Sequence, residues 1–324
     1  FLNLFGNFPL MYTFFFVGTI FSALTVIPGF FIGKIITKNN VGGFFTAFLL
    51  AVSSFFVSRT TGESSDTDVY AVFFPVLITW LFLEALEAKE NKWKFIWITL
   101  AGLATGLFAF AWTGWWFIAT FLLATMVFHL LYLAALHWKT ITSSIKSAMF
   151  LEPLSIAGVY ILTSVIFISL FTSFQQFVRV VLGPFQFLRL KAVAVTSYWP
   201  NIRTTVAELN VASLGNVIEQ LGGKLLFVLG VAGIVFILFK KNEQGKRDPQ
   251  VAFLFTLWLL ASLFATTKGV RFILQATPIS AMALGAFLGL SWAYASRWIS
   301  KELKFNLTVT KVLVFVLLAL LLIE

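Results

Sequence analysis

The sequence predicts an all-α protein that crosses a membrane many times, and three observations lead to this. Of its 324 residues, 60% are hydrophobic and 11% charged, against about 25% charged in an ordinary soluble domain. Long charge-free runs recur over 10–33, 39–58, 95–136, 153–178, 249–267 and 272–296. Between the runs, lysines collect in short clusters. A bilayer core needs about 20 apolar residues per helix. A membrane barrel would instead alternate with period two, and these runs do not.

Taken in order, the runs give spans over 10–33 and 41–57, then a third over 69–88 after the polar stretch 58–68. The run from Phe95 is long enough for two helices, 94–111 and 114–137, turning between Trp112 and Trp116. Further spans follow over 149–171, 225–240, 250–267, 270–295 and 308–324, about ten in all. When the spans alternate, five basic clusters fall on one side: Lys34 and Lys38; Lys89, Lys92 and Lys94; Lys139 and Lys146; Lys240 to Arg247; and Arg297 to Lys304. The positive-inside rule makes that side cytoplasmic. It also accounts for the net charge of +10 without a nucleic-acid partner. There are no cysteines, so disulfide and thiolate chemistry give no guidance. The chain opens at Phe1 without a signal peptide and stops just after an apolar run, so both ends are expected to be cuts through a longer polypeptide.

The opposite face receives 58–68, the Trp112 to Trp116 turn, the long stretch 172–223 and the Lys268 to Arg271 corner. In the long stretch Phe174, Phe177, Phe185, Phe187, Tyr198 and Trp199 mix with Arg179, Arg189, Lys191 and Arg203, a texture suited to lying along lipid headgroups. The acids on this face are few: Glu63, Asp66, Asp68, Glu208, Glu219 and the terminal Glu324. Two aspartates at i and i+2 in extended chain project to one side. Such a pair can hold a hard divalent cation through oxygen. Equally, Ser65, Asp66 or Asp68 can simply cap the helix that begins near Val69. Thr205 to Glu208 has the spacing of a capping box. Arg271, beside Lys268 at a span end, has the position of a snorkelling anchor. Trp112, Trp115 and Trp116 suit an aromatic belt, and His129, inside an apolar helix, suits packing.

These pieces together resemble the catalytic subunits of oligosaccharyltransferases, the STT3/AglB/PglB family. Ser58-Arg59-Thr60-Thr61-Gly62 followed by Asp66-Thr67-Asp68 resembles the family's second Asp-x-Asp motif with its upstream arginine. Thr205-Val206-Ala207-Glu208 is similar to its motif in the large external loop, and Arg271 to its donor-phosphate arginine. The resemblance implies a GT-C type glycosyltransferase membrane domain that transfers an oligosaccharide from a dolichyl or other polyisoprenyl phosphate or diphosphate to the asparagine of Asn-X-Ser/Thr. It implies a divalent metal (Mn2+ or Mg2+) on Asp66, Asp68 and Glu208, with Asp68 as second ligand or support. It further implies catalytic roles for Asp66 and Glu208, and substrate contacts from Arg59, Thr205 and Arg271. The implied partners are the lipid-linked donor, the acceptor polypeptide and membrane lipids. The active site would lie on the extracytoplasmic face of the cell membrane, in a single-subunit enzyme of archaeal or bacterial type. The family's first helix and first external loop, with an earlier Asp-x-Asp, and its C-terminal soluble domain would lie beyond the two ends. The competing readings are a related protein O-mannosyltransferase, a secondary transporter using the same charges as a relay, and a non-catalytic scaffold. A transporter would place its charges near the bilayer midplane on broken helices, within internal repeats, whereas these acids sit at span ends and no repeat is visible.

Overall fold

The computed structural model describes residues 10–60, 66–140, 146–189, 210–240 and 249–323, with side chains of the first helix from Phe16 onward. Among them the chain is all helical. In chain order the helices are α1 (Leu10–Thr37), α2 (Asn40–Ala51), α3 (Ser54–Ser58), α4 (Tyr70–Glu87), α5 (Asn91–Ala111), α6 (Trp116–Leu136) and α7 (Ala148–Phe171). There follow α8 (Phe174–Phe177), α9 (Arg179–Leu188), α10 (Leu214–Gln220), α11 (Gly223–Phe239), α12 (Gln250–Thr266), α13 (Ile273–Glu302) and α14 (Leu307–Leu320). Six stretches are long and apolar enough to cross a bilayer, or seven if α10 and α11, bent by 84°, count as one span. The remaining expected spans, over 41–57, 250–267 and 308–324, are represented by the shorter apolar helices α2, α12 and α14.

α13 is the axis of the bundle, packing against α1, α2, α4, α11, α12 and α14. Its spanning window is 78% buried, whereas that of α7 is 22% buried, which makes α7 peripheral. Lipid tails are as apolar as leucine, so helices here associate through close packing rather than the hydrophobic effect. Gly285 and Gly289 of α13, four residues apart, let α2 approach: a Cβ on Gly289 would lie 2.4 Å from the Gly42 Cα, and one on Gly285 2.1 Å from the Thr46 Oγ1. Gly33 brings α1 into the same crossing, since a Cβ there would meet the Gly42 carbonyl at 2.4 Å. Asn39 secures it by accepting from the Gly42 N–H (2.8 Å) and donating to the Gly289 carbonyl (3.2 Å). Gly102 and Gly106 do similar work for α5 against Thr163 and Phe167 of α7.

The span expected over 41–57 breaks after Val52, where Ser53 leaves helical geometry at φ −60°, ψ 110° before α3 begins. At the other end of the bundle, Lys38 pairs with Glu87, and Lys240 donates to the Ile36 carbonyl. Members of separate basic clusters thus meet at one end. Lys94, buried at the start of α5, pairs with Glu152 near the start of α7.

Candidate functional site

The site is assembled at the opposite end from Lys38, by three short segments that interrupt long helices. α3 ends in Arg59, its cap residue, and the Thr60 hydroxyl turns back to the Phe56 carbonyl at 2.9 Å. Beyond Ser65, Asp66 starts the 3-10 turn Thr67–Val69 that leads into α4, its Oδ1 accepting from the Thr67 N–H at 2.6 Å. A second 3-10 turn, Val270–Phe272, opens α13 and carries Arg271. That corner is fixed by the segment before α10: the Val270 N–H donates to Asn210 O at 2.8 Å, and the Ala212 N–H to Thr266 O at 3.3 Å.

These turns bring Arg59, Asp68 and Arg271 together. Asp68 is 6% exposed. Its Oδ2 lies 3.7 Å from Arg59 Nη1 and its Oδ1 3.9 Å from Arg271 Nη2. One buried carboxylate therefore stands between two guanidinium groups supplied by distant parts of the chain. Arg59 also lies over the Phe55 ring, 5.6 Å from its centre. Both arginine side chains remain partly open, at 26% and 36%. Among the described residues two cations thus face one buried anion, an arrangement on which an anion with several oxygens can be held by charge-assisted bonds. The carboxylate that buries itself costs free energy unless paired, and here it fixes the pose of both arginines.

Asp66 behaves differently, since its carboxylate is exposed and caps the turn through Oδ1. The capping expected near Val69 is present, and it falls to Asp66. An exposed carboxylate suits a hard divalent cation, whereas Asp68, with a guanidinium facing each oxygen, suits one poorly. No group of three or more His, Asp or Glu side chains converges among the described residues. Glu63, Thr205 and Glu208 lie outside the described residues, as does Arg203. Asn210, which pins the Arg271 corner, is two residues beyond Glu208 in sequence.

Beside Arg271 opens a cavity of about 620 Å³, walled by Trp112, Trp116 and Phe121 on one side and by Phe187, Phe264 and Phe272 on the other. Besides Arg271, the polar points in its lining are Thr113, Thr120, Gln186, Ser262 and Gln275. α9 roofs it. The Val180 carbonyl of α9 accepts from the Thr120 hydroxyl at 3.1 Å, and Phe187 meets Phe272 edge-on at 5.2 Å. Gly183 lies flat on the Trp116 indole, where any Cβ would come within 2.4 Å of the ring. Of the three tryptophans expected as an aromatic belt, Trp112 and Trp116 line the cavity and Trp115 is fully buried. Sequence reasoning passed over Gln275, Gly183 and Trp116 as site residues. The signal available was the amphipathic pattern of 179–188 with a glycine at its centre.

The whole chain, residues 1–324, matches the family model described as oligosaccharyl transferase STT3, N-terminal. The dolichyl-phosphooligosaccharide-protein glycotransferase of Methanococcus voltae is 28% identical over 322 residues, covering 91% of this chain and 35% of that protein. The protein of the same description from Methanocaldococcus jannaschii is 24% identical, covering 85% and 37%. This chain therefore spans about a third of the length of these curated relatives. Two solved structures of the Archaeoglobus fulgidus oligosaccharyltransferase share the fold at 18% identity over 97% of this chain. One is tethered with an acceptor peptide containing the NVT sequon (TM-score 0.61, 43% of that chain covered). The other is AglB in complex with an inhibitory peptide and a dolichol-phosphate (TM-score 0.62, 44% covered). With the family model matched over residues 1–324, the chain belongs to the STT3 family of oligosaccharyl transferases, of which it forms a multi-pass membrane part.

Proposed function

We propose that this chain supplies the membrane half of an enzyme that transfers an oligosaccharide from a dolichyl phosphate or diphosphate to the asparagine of Asn-X-Ser/Thr, on the extracytoplasmic face of the cell membrane. The observation that supports this most is the clamp of Arg59 and Arg271 on Asp68, at the mouth of an aromatic cavity. In this reading the donor phosphate lies against the open faces of the two guanidiniums and its isoprenoid chain enters the cavity. The two glycotransferase relatives, and the inhibitory peptide and dolichol-phosphate bound by the Archaeoglobus fulgidus AglB, support the same reading.

The chemistry asks for what the site offers. A bond forms between the amide nitrogen of asparagine and the first carbon of the glycan, and the bond from that carbon to the phosphate oxygen breaks. The amide is a weak nucleophile, so carboxylates orient it through its N–H groups and one of them takes the single proton that the nitrogen loses; Asp66 and Glu208 take that role, and Thr205 lines the acceptor. The departing phosphate needs positive charge, which Arg59 and Arg271 provide. A divalent metal, Mn2+ or Mg2+, would be held by Asp66 with Glu208 and would supply further positive charge to the leaving group. Asp68 supports the arginines and does not ligate the ion in this scheme.

Arg271→Lys tests the reading. A snorkelling anchor needs only positive charge, whereas a phosphate clamp needs the planar fork of arginine. In the full-length protein, turnover against donor concentration at fixed peptide is expected to fall at least about tenfold, equivalent to about 1.4 kcal/mol. Superimposable curves for Arg271→Lys and the parent would reduce Arg271 to an interfacial anchor.

A further inference from the structure

A second cavity, of about 170 Å³, lies behind the arginine site. It touches α13 through Thr277, Ser280, Ala281 and Leu284, whereas the donor-side cavity touches it through Gln275. Leu284 is nine residues beyond Gln275, about two and a half turns at 3.6 residues per turn, so the two cavities occupy opposite faces of one helix. The rest of the wall comes from the end of α2, the start of α3 and the bend between α10 and α11.

Three backbone interruptions meet at this cavity. α2 gives way to α3 at Ser53. α10 turns into α11 by 84° through Gly222 and Gly223, both at positive φ (108° and 88°). In α13, Pro278 removes one helical hydrogen bond. Irregular backbone at membrane depth is tolerated where it is buried or lines a cavity. Among the described residues the buried Ser280 hydroxyl oxygen has no hydrogen-bond partner, and Ser53, Ser54, Gln220 and Thr277 are the other polar residues of an otherwise apolar lining. The mouth opens on an exposed apolar surface, since Phe48, Val52 and Val231 in its rim are 41%, 52% and 38% exposed. A dry apolar cavity of about 150 Å³ accepts a guest the size of benzene. This one is therefore matched to a short length of hydrocarbon chain and not to a headgroup.

We propose that the cavity binds one hydrocarbon chain of a bilayer phospholipid, and that its occupancy sets the pose of Arg59. α3 is the connection: Ser54 at its start lines the cavity, Arg59 caps its end, and α3 packs directly on α13. Occupancy of the cavity stands apart from the proposed reaction, while the effect on Arg59 rests on it.

The test uses full-length protein in phosphatidylcholine vesicles doped with phosphatidylcholine that carries a diazirine in one acyl chain. After illumination, crosslinks are expected at Phe48, Leu226, Phe227 or Leu284, as well as on the exposed residues Ile20 and Ile27 of α1. Excess dolichyl phosphate should leave the cavity crosslinks in place. Ser280→Leu and, separately, Leu284→Phe should remove them at least fivefold while the α1 crosslinks persist, which also shows that the variants are folded. Cavity crosslinks that dolichyl phosphate displaces would identify the occupant as the donor and overturn the proposal. So would α1 crosslinks without any in the cavity in the parent protein, which would mean that another protein segment, or nothing, fills it. Turnover at saturating donor should change at least threefold in Ser280→Leu; loss of the crosslinks with unchanged turnover would refute the link to Arg59 while sparing the lipid site, and the parent's own crosslinking decides the latter.

Discussion

Asp68→Asn keeps the shape of the side chain and removes its charge, so it isolates what the clamp contributes. Arg59 and Arg271 stand 3.7 and 3.9 Å from its two oxygens. At that separation, and an effective dielectric constant of about 20, each pair contributes about 4 kcal/mol of attraction. Taking a carboxylate that is 9% exposed out of water offsets several kcal/mol of this. Removing one partner of a buried ion pair costs about 3–5 kcal/mol, and the low end applies here because both guanidiniums keep part of their water. Unfolding in detergent is therefore expected to show a loss of about 3 kcal/mol in Asp68→Asn. In Asp66→Asn, where an exposed carboxylate caps one turn, the loss should stay within about 1 kcal/mol. Kinetics separate positioning from mere folding. Losing a negative charge beside the phosphate does not weaken its ground-state attraction, so the donor KM should not rise. What is lost is the fixed orientation of the arginines, and kcat is expected to fall at least about tenfold. Metal affinity, by titration, should drop in Asp66→Asn and hold in Asp68→Asn. A variant Asp68→Asn with parental stability and kcat, or with a metal defect equal to that of Asp66→Asn, would refute the reasoning.

Two further outcomes are expected. The chain has no cysteine, so Asn210→Cys, at the arginine end, should react with an impermeant thiol reagent applied outside cells, and Asn91→Cys, at the lysine end, only after permeabilisation. Equal labelling of both from outside would invert the orientation. At the lysine end, burial, helped by the Lys38 ammonium and opposed by Glu87, pushes Lys240 down from its ordinary 10.5 to about 8. Between those values the unfolded chain holds a proton that the folded chain has released, so this residue makes stability rise with pH across that window. Thermal midpoints measured from pH 8 to 10.5 should therefore climb more steeply in the parent than in Lys240→Met; identical slopes would count against the assignment.

The sequence-based reading captured the helical class because apolar length is a local property: each run of about 20 residues declares itself without reference to its neighbours. It also singled out Arg59, Asp66, Asp68 and Arg271, since a few charges at span ends stand out against so apolar a background. It could not show that Asp68 faces both arginines while Asp66 faces solvent, because that depends on a 3-10 turn that separates two aspartates only two residues apart. The continuous span drawn over 41–57 missed the break at Ser53, where hydropathy hardly changes but backbone bonding does. Hydropathy marks the central α13 as less apolar than the peripheral α7, but it does not say why α13 is approached so closely. The reason lies in Gly285 and Gly289, whose value appears only when Gly42 and Thr46 are seen opposite them.

The crossing of α2 with α13 has a consequence for biosynthesis. α2 has 12 residues, about 18 Å at 1.5 Å per residue, against a hydrocarbon core of about 30 Å. By itself it is a poor candidate for stable insertion, and even with α3 it arrives with an interruption. Its glycines face Thr37 and Phe30 of α1 from the start, but the bond from the Asn39 amide to Gly289 forms only when α13 emerges from the ribosome, 250 positions later. Until then the early helices must be sheltered by the insertion machinery or by one another. A chain stalled before residue 273 would lack the helix on which α2 closes, and would be exposed to membrane quality control however well its first helices had formed.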